Sequence, residues 1–323
     1  MDKLRRASDL MQKGFLLLDE HRCAEAMKVG QKLKRLGHSS AFEILALAYR
    51  RSDRLSKAIA VLEEGVAKAG RVWILWELLG NCYSDAGHFA KAEKAYQAAL
   101  LRESSDQAVV HLNRAIAFNR AGKPAEAKSV LRLVKSPRLL WWTEACRIRT
   151  ALALGNTRLA RRLALGLCRR RSSVFESCDR ENKSEVFLAC ALALKGKAET
   201  HSKALRLAFR AVDAQPNNAQ ALAAIRDIMQ HKAASPLLFR LLIQGIWGAP
   251  IDKSRVPPGF YRTVDVAAAN QQAALRYAKP FFPKRVRESL SVKETKTFRN
   301  ATLSLEGVYF ISGYVFYLRR GRA

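Results

Sequence analysis

The chain has 323 residues, 49% of them hydrophobic, and it carries 57 lysine and arginine residues against 28 acidic ones, a formal charge of +29. This length allows one long repeat array or two ordinary domains. The absence of any apolar run near ~18 residues excludes a transmembrane helix, and the excess of positive charge predicts an anionic partner or environment.

Pairs of helices are predicted from the N-terminus onward, because apolar and small residues recur at steps of three and four. A weak first pair has Gly14, Leu17, Ala26, Gly30 and Leu33, and a stronger second pair has Phe42, Leu45, Ala46, Tyr49, Ala58 and Leu62. The third pair has Trp76, Leu79, Gly80, Tyr83 and Gly87, then Ala92, Tyr96 and Ala99. Gly80 and Ala92 are small where two antiparallel helices must approach closely.

The same pattern continues downstream. A fourth pair has Ala115, Phe118, Gly122, Ala127 and Leu131, and a fifth has Ile148, Ala151, Gly155, Ala160, Ala164 and Leu167. A sixth has Ala189, Leu192, Gly196, Ala204, Ala208 and Ala211, and it ends at a corner over Ala214–Asn218 because Pro216 cannot continue the helix. A degenerate last pair of helices is predicted over Ala219–Gln230 and Pro236–Trp247.

These pairs resemble the tetratricopeptide (TPR) repeat, a helix-turn-helix unit of about 34 residues. The resemblance covers about residues 7–247. It implies an all-α fold, a right-handed α-solenoid of about six hairpins, because one such unit cannot bury its own apolar face and must stack on its neighbours. It also implies a protein-protein interaction scaffold as the function.

No family is recognised in residues 249–323, which form a predicted basic C-terminal extension beyond a solenoid at 1–248. Gly248–Gly259 is a predicted linker and Val264–Ala278 a predicted helix. In the basic segment Lys279–Arg287, Phe281 and Phe282 are expected to dock onto the solenoid end. Contact with nucleic-acid bases or an anionic membrane surface is the alternative for this segment.

The end of the chain has the composition of strands. Thr302–Leu305, Val308–Ile311 and Tyr314–Leu318 are short β-prone runs separated by glycine-containing turns. They predict a short β-meander. The alternative is an amphipathic peptide that binds a partner or a membrane.

The TPR resemblance implies that the first helices of the repeats line a concave groove that holds a protein or peptide, which the basic composition predicts to be acidic. The implied groove residues are Glu43, Leu47, Arg50, Arg51, Glu77, Asn81, Asn113, Ile116, Asn119, Arg120, Trp142 and Arg149.

Asn81 and Asn113 match the two asparagines that hold a peptide backbone in chaperone-binding TPR domains, since one amide both donates and accepts. The basic residues that grip the terminal carboxylate there are replaced by Glu77, Trp142 and Cys146, which argues against a chaperone-adaptor role. The alternative is that Asn81 and Asn113 only bridge neighbouring helices.

A second candidate surface lies on the helix that begins near Thr157. Arg158, Arg161, Arg162 and Arg169 converge on the face opposite its apolar residues. The resemblance places this arginine stripe on the convex side. Arginine favours bidentate contact with phosphate, so binding of nucleic acid or another polyanion is the alternative function; a merely solvated surface is the other interpretation.

Catalysis, cofactors and metals are not expected. The sequence has no G-x-S-x-G, G-x-x-x-x-G-K or H-E-x-x-H motif, and its six histidines are far apart. Its six cysteines show no C-x-x-C spacing, so they are interpreted as small buried hydrophobes without disulfides. Acidic residues near the N-terminus argue against a targeting leader, and a cytoplasmic location is expected.

Overall fold

The computed structural model describes residues 2–170, 180–231, 236–247, 257–298 and 303–317. The chain divides into two compact units, Met1–Asn156 and Thr157–Ala323. The domain boundary predicted at residue 248 falls inside the second unit and remains a prediction. Most of the predicted linker Gly248–Gly259, and the end residues Thr302 and Leu318 of the predicted terminal strands, lie outside the described residues.

The first unit consists of helices joined by short turns. Their bounds are α1 Asp2–Asp19, α2 Cys23–Arg35, α3 Ser40–Arg51, α4 Leu55–Lys68, α5 Trp73–Asp85, α6 Phe89–Leu100, α7 Gln107–Arg120, α8 Pro124–Leu131 and α9 Leu140–Ala153. Consecutive helices pack as hairpins, each hairpin packs on the next, and the first helices α1, α3, α5, α7 and α9 contact one another in that order. The predicted array of helical hairpins is confirmed here.

One turn geometry recurs after each first helix. At the end of α5, Gly87 has φ +76°, its N–H bonds to Ser84 O, and His88 N–H bonds to Tyr83 O. This pair of bonds is the Schellman motif, which satisfies the last carbonyls of a helix and requires a left-handed residue. Equivalent left-handed residues follow α1, α3, α7 and α9, namely His21, Asp53, Gly122 and Gly155.

The core between hairpins is built on close approach of small and aromatic residues. Gly80 in α5 faces the ring of Tyr96 in α6, and an added Cβ would lie 2.6 Å from that ring. Tyr83 donates its hydroxyl proton to Glu63 in α4 of the preceding hairpin, and Trp76 Nε1 donates to Gly70 O at 2.9 Å. Trp76 and Tyr83 therefore lie between successive hairpins, as the repeat pattern predicts.

Helices also begin the second unit. They are α10 Thr157–Arg169, α11 Arg180–Leu194, α12 Ala198–Ala214 and α13 Ala219–Met229. The predicted corner before α13 is confirmed, because Asn218 caps it by accepting from Ala221 N–H at 3.0 Å. Asn218 Nδ2 also donates to Ser184 Oγ at 2.9 Å, which connects the corner to α11.

A five-stranded antiparallel sheet follows. Its strands are β1 Leu237–Ile246, β2 Gly259–Ala268, β3 Ser291–Phe298, β4 Gly307–Ile311 and β5 Val315–Tyr317, with helix α14 at Gln271–Ala278. The order is β3-β1-β2-β4, and β5 also pairs with β2. The sheet is larger than the predicted meander, and β4 and β5 each pair with β2 instead of with each other.

Two helix predictions are wrong in this region. Pro236–Trp247 contains strand β1, where Phe239, Leu241 and Ile243 alternate as buried residues. Residues 264–268 of the predicted helix Val264–Ala278 belong to β2, and only α14 is helical. The physical reason is that nearly continuous apolar runs fit either period, and pairing with distant strands decides between them.

The predicted docking residues follow helix α14 and pack against aromatic rings of β2 and α12. Phe281 and Phe282 are buried, and the Phe281 ring lies 5.0 Å from that of Phe209 in α12. Phe281 thus packs against α12, which is followed by α13; docking onto the end of a solenoid remains a prediction. Arg262 in β2 is also buried here and donates to Ser312 O at 2.8 Å and Phe281 O at 2.9 Å.

Candidate functional site

The candidate groove residues of the first unit lie on neighbouring first helices. Because α3, α5 and α7 contact one another in sequence, residues one repeat apart come within reach of each other. Ion pairs and hydrogen bonds between these helices connect residues separated by about one repeat. Among the predicted residues, Arg50 and Arg120 are joined through Asp85 into one row across α3, α5 and α7, and Asn113 is joined to Glu77.

Asp85 stands at the centre of this row. Its Oδ2 accepts from Arg50 Nε in α3 at 2.6 Å, and its Oδ1 accepts from Arg120 Nη1 in α7 at 2.5 Å. The side chains of Arg50 and Arg120 are 39% and 49% exposed. Exposed ion pairs contribute at most about 1 kcal/mol to stability, so a partner can compete for these guanidinium groups at small cost.

Glu77 organises a second, buried group. This side chain is 4% exposed, and its Oε1 accepts from Asn81 Nδ2 at 2.6 Å and from Asn113 Nδ2. Asn81 Oδ1 in turn accepts from the hydroxyl of Tyr96 at 2.8 Å. Burial raises the pKa of the Glu77 carboxyl above its ordinary value, while the two amide donors act in the opposite direction.

Asn81 and Asn113 thus bridge helices, which is the alternative left open by the sequence. Both residues are still partly exposed, and each amide has more hydrogen-bonding capacity than these contacts use. Contact with a peptide backbone remains a prediction for them. The contacts show that any such role would be exercised from a fixed position.

Two further predicted residues tie adjacent hairpins. Arg51 Nη1 donates to Leu18 O at the end of α1. Asn119 Nδ2 donates to Thr150 Oγ1 at 2.9 Å, which connects α7 with α9. These bonds set the spacing of the first helices and hence the shape of the surface.

The remaining predicted positions add partly apolar surface. Leu47 and Ile116 are half-buried and pack against the hydrophobic core. Trp142 is also half-buried, and its Nε1 has no hydrogen-bond partner in the part of the chain that the structure describes. Burial raises the pKa of the Glu43 carboxyl above its ordinary value. Arg149 is half-buried on α9.

Sequence reasoning did not predict that Asp85 joins two of the groove arginines. It also missed the hydroxyl of Tyr96 as a partner for Asn81. A tyrosine at a buried repeat position was an available signal, since a buried phenol hydroxyl usually finds a hydrogen-bond partner.

The arginine stripe lies on α10 in the second unit. Arg158, Arg162 and Arg169 are exposed, and Arg161 is half-buried. The buried face consists of Ala160, Ala164 and Leu167, which agrees with the predicted amphipathic pattern. Binding of a polyanion by this stripe remains a prediction.

Among the described residues, no group of histidine, cysteine and acidic side chains has an arrangement that could hold a metal ion. In the same part of the chain, no helix combines the length and the apolar character needed to cross a membrane.

Comparisons with known proteins concern the fold. A family model described as tetratricopeptide repeat matches residues 75–106, which cover α5 and α6. No curated protein matches the sequence. Pseudomonas aeruginosa pilF has 12% sequence identity and a TM-score of 0.52, with 71% of this chain and 99% of that chain covered.

The crystal structure of the APC/C hetero-tetramer Cut9–Hcn1 contains a second similar chain. It has 11% identity and a TM-score of 0.51, with 69% of this chain covered but only 40% of that chain. The match therefore spans only two fifths of the length of that relative. The chain contains a tetratricopeptide repeat at residues 75–106, and its helical hairpins have the fold of tetratricopeptide-repeat proteins.

Proposed function

We propose that this chain is a non-catalytic, cytoplasmic scaffold that binds a partner protein or peptide on the first helices α3, α5, α7 and α9. The observation that carries the proposal is the exposed row Arg50–Asp85–Arg120, which crosses three successive first helices. An extended segment lying across these helices meets the three charged groups in turn. A precedent is the similar chain in the Cut9–Hcn1 structure, which belongs to a hetero-tetramer.

An acidic partner fits this row. Within the row, the carboxylate of Asp85 accepts one hydrogen bond from each arginine, through a different oxygen in each case. A carboxylate of the partner can therefore replace Asp85 as the acceptor. Glu77 opposes an acidic partner only weakly, because burial raises its pKa and its oxygen is occupied by two amides. Leu47 and Ile116 supply apolar contact beside the charges.

The test compares partner recovery by two charge-matched variants. Arg50→Gln with Arg120→Gln removes two charges from the row, and the control Arg71→Gln with Arg132→Gln removes two from exposed positions elsewhere in the first unit. Quantitative mass spectrometry of pull-downs should show a set of proteins lost from the groove variant and retained by the control. Circular dichroism checks that both variants remain folded.

Equal recovery by the two variants would contradict the proposal. Each pull-down is also repeated with nuclease. Recovery that disappears with nuclease, and also with Arg158→Glu, Arg161→Glu and Arg162→Glu together, would assign binding to the arginine stripe and a polyanion instead of the groove.

A further inference from the structure

The five-stranded sheet of the second unit has one covered face and one open face. On the covered face, Phe239, Leu241 and Ile243 alternate along β1 and are buried. The residues between them belong to the opposite face, where Arg240 forms an ion pair with its register partner Asp265 in β2 at 2.8 Å. The Arg240 side chain is 52% exposed, so this second face is open to solvent.

Aromatic rings are exposed on the open face. Phe298 in β3 is 43% exposed and Phe310 in β4 is 39% exposed. Both belong to this face, because the guanidinium group of Arg240 lies over the Phe298 ring and Phe310 is a register partner of Asp265. The half-buried Tyr261 lies on the same face, four residues before Asp265 along β2. Several large apolar side chains exposed on one face indicate an interaction surface.

Positively charged groups lie beside these rings. Arg240 Cζ is 5.8 Å from the centroid of the Phe298 ring, and Lys293 Nζ is 4.6 Å from that of Tyr261 and donates to its hydroxyl at 2.9 Å. Arg240 is also the register partner of the exposed Lys296 in β3, so two like charges lie opposite each other on neighbouring strands. This arrangement lowers stability, and an anion bound between the two groups would offset the repulsion.

The combination of groups fits a single-stranded nucleic acid. Exposed rings stack on unpaired bases, and cations beside the rings contact the phosphates. The charge of the face is positive, because Arg240, Lys293 and Lys296 outnumber Asp265 and Glu294, and Asp265 is already paired with Arg240. Lysine is depleted in the cores of protein-protein interfaces, which argues against a protein as the occupant of this face.

We propose that the open face of the sheet binds single-stranded nucleic acid. Unpaired bases stack on Phe298 and Phe310, and Arg240, Lys293 and Lys296 hold the phosphates between them. This surface lies in the second unit and uses no residue of the peptide groove on the first helices. Its success or failure is therefore independent of the proposed protein-binding function.

The test measures binding of the full chain to a fluorescein-labelled oligothymidine of about 12 nucleotides by fluorescence anisotropy. Phe298→Leu with Phe310→Leu keeps apolar side chains at both positions but removes the aromatic planes, so affinity should fall at least about fivefold. The control is Phe316→Leu, because Phe316 is 44% exposed and pairs with Phe260, whose buried side chain belongs to the covered face. This control should keep the wild-type affinity.

A second measurement addresses the phosphate contacts. Lys296→Gln should reduce the slope of log affinity against log salt concentration by about 0.7, the value for one phosphate contact on a single strand. Lys284→Gln removes a charge from an exposed position in the segment after α14 and should leave that slope unchanged.

Affinity that does not depend on the rings would overturn the proposal, because a chain of charge +29 attracts any polyanion without a specific surface. The refuting results are a leucine pair that binds as tightly as the wild type, an equal loss in Phe316→Leu, or an unchanged salt slope in Lys296→Gln. Circular dichroism checks that each variant is folded. If the leucine pair is not, Phe298→Leu and Phe310→Leu are measured singly, and each should weaken the binding that Phe316→Leu retains.

Discussion

The close approach of α5 and α6 makes a quantitative prediction about Gly80. In Gly80→Ala the new methyl carbon would lie 2.6 Å from Cε1 and 2.7 Å from Cδ1 of Tyr96, well inside normal contact distance. Tyr96 is 1% exposed and its hydroxyl bonds to Asn81 at 2.8 Å, so the ring cannot move aside without losing that bond. Overpacking costs about 1–3 kcal/mol, and alanine recovers about 1 kcal/mol of helix propensity.

We therefore expect Gly80→Ala to lower the free energy of unfolding by about 1–2 kcal/mol. This is the upper part of the range left after the gain in helix propensity is subtracted from the overpacking cost, because the overlap is large. Urea unfolding followed by far-UV circular dichroism measures it. Gly166→Ala is the matched control, since Gly166 lies in helix α10 with no atom within 4 Å of an added Cβ. That control should be stabilised by up to about 1 kcal/mol.

A double-mutant cycle separates overlap from other effects. In a Tyr96→Ala background the ring is gone, so Gly80→Ala should become neutral or stabilising. A Gly80→Ala chain that is as stable as the wild type, or a cost that persists without the ring, would refute the packing of α5 on α6 described above.

Three further predictions concern turns and buried charges. Asp53→Gly should stabilise the chain by about 1 kcal/mol, because Asp53 has φ +55°, and Gly87→Ala should destabilise it by about as much. The urea midpoints of both variants measure these changes. A lower stability of Asp53→Gly would contradict the shared turn geometry. The raised pKa of Glu77 means that its stabilising contribution belongs to the protonated form, present below the unfolded-state pKa and lost as pH rises through the folded-state pKa. Glu77→Gln should remove that loss between acidic and neutral pH in urea titrations, whereas Glu103→Gln at an exposed position should not. Arg262→Lys should lower the free energy of unfolding by about 2–3 kcal/mol in the same assay. Lysine cannot reproduce the hydrogen bonds of the buried guanidinium group to two carbonyls and a tyrosine hydroxyl. An unchanged urea midpoint would show that those bonds are not made.

The hairpins could be predicted from sequence because each is specified locally. Steps of three and four place Gly80 and Tyr96 on facing helix surfaces, and Gly87 ends α5 through a turn that needs a left-handed residue. These signals act within one repeat, so they can be recognised without knowledge of the rest of the chain. His21 and Asp53 show the limit, since non-glycine residues occupy the same turn.

The sheet could not be predicted in the same way. Strand β1 pairs with β3, and the partners Leu238 and Phe298 are distant in sequence. The segment Leu237–Ile246 has leucines at spacings that fit a helix as well as a strand, and only its pairing partners decide. Local patterns carry no information about such partners.

The candidate residues could be placed on neighbouring helices from the sequence, but their contacts could not. The repeat period located Arg50, Glu77, Asn81, Asn113 and Arg120 on neighbouring helices. Which of them pair with each other depends on side-chain directions and burial.

Site-specific photo-cross-linking to the recovered partner tests the central claim most directly. A photoreactive phenylalanine is introduced at Leu47 or Ile116 on the first helices, and at the exposed positions Lys57 or Lys94 on the second helices. Binding in the groove predicts cross-linked partner from the first pair and little from the second. Equal cross-linking from all four positions, or cross-linking only from Lys57 and Lys94, would contradict binding by the first helices.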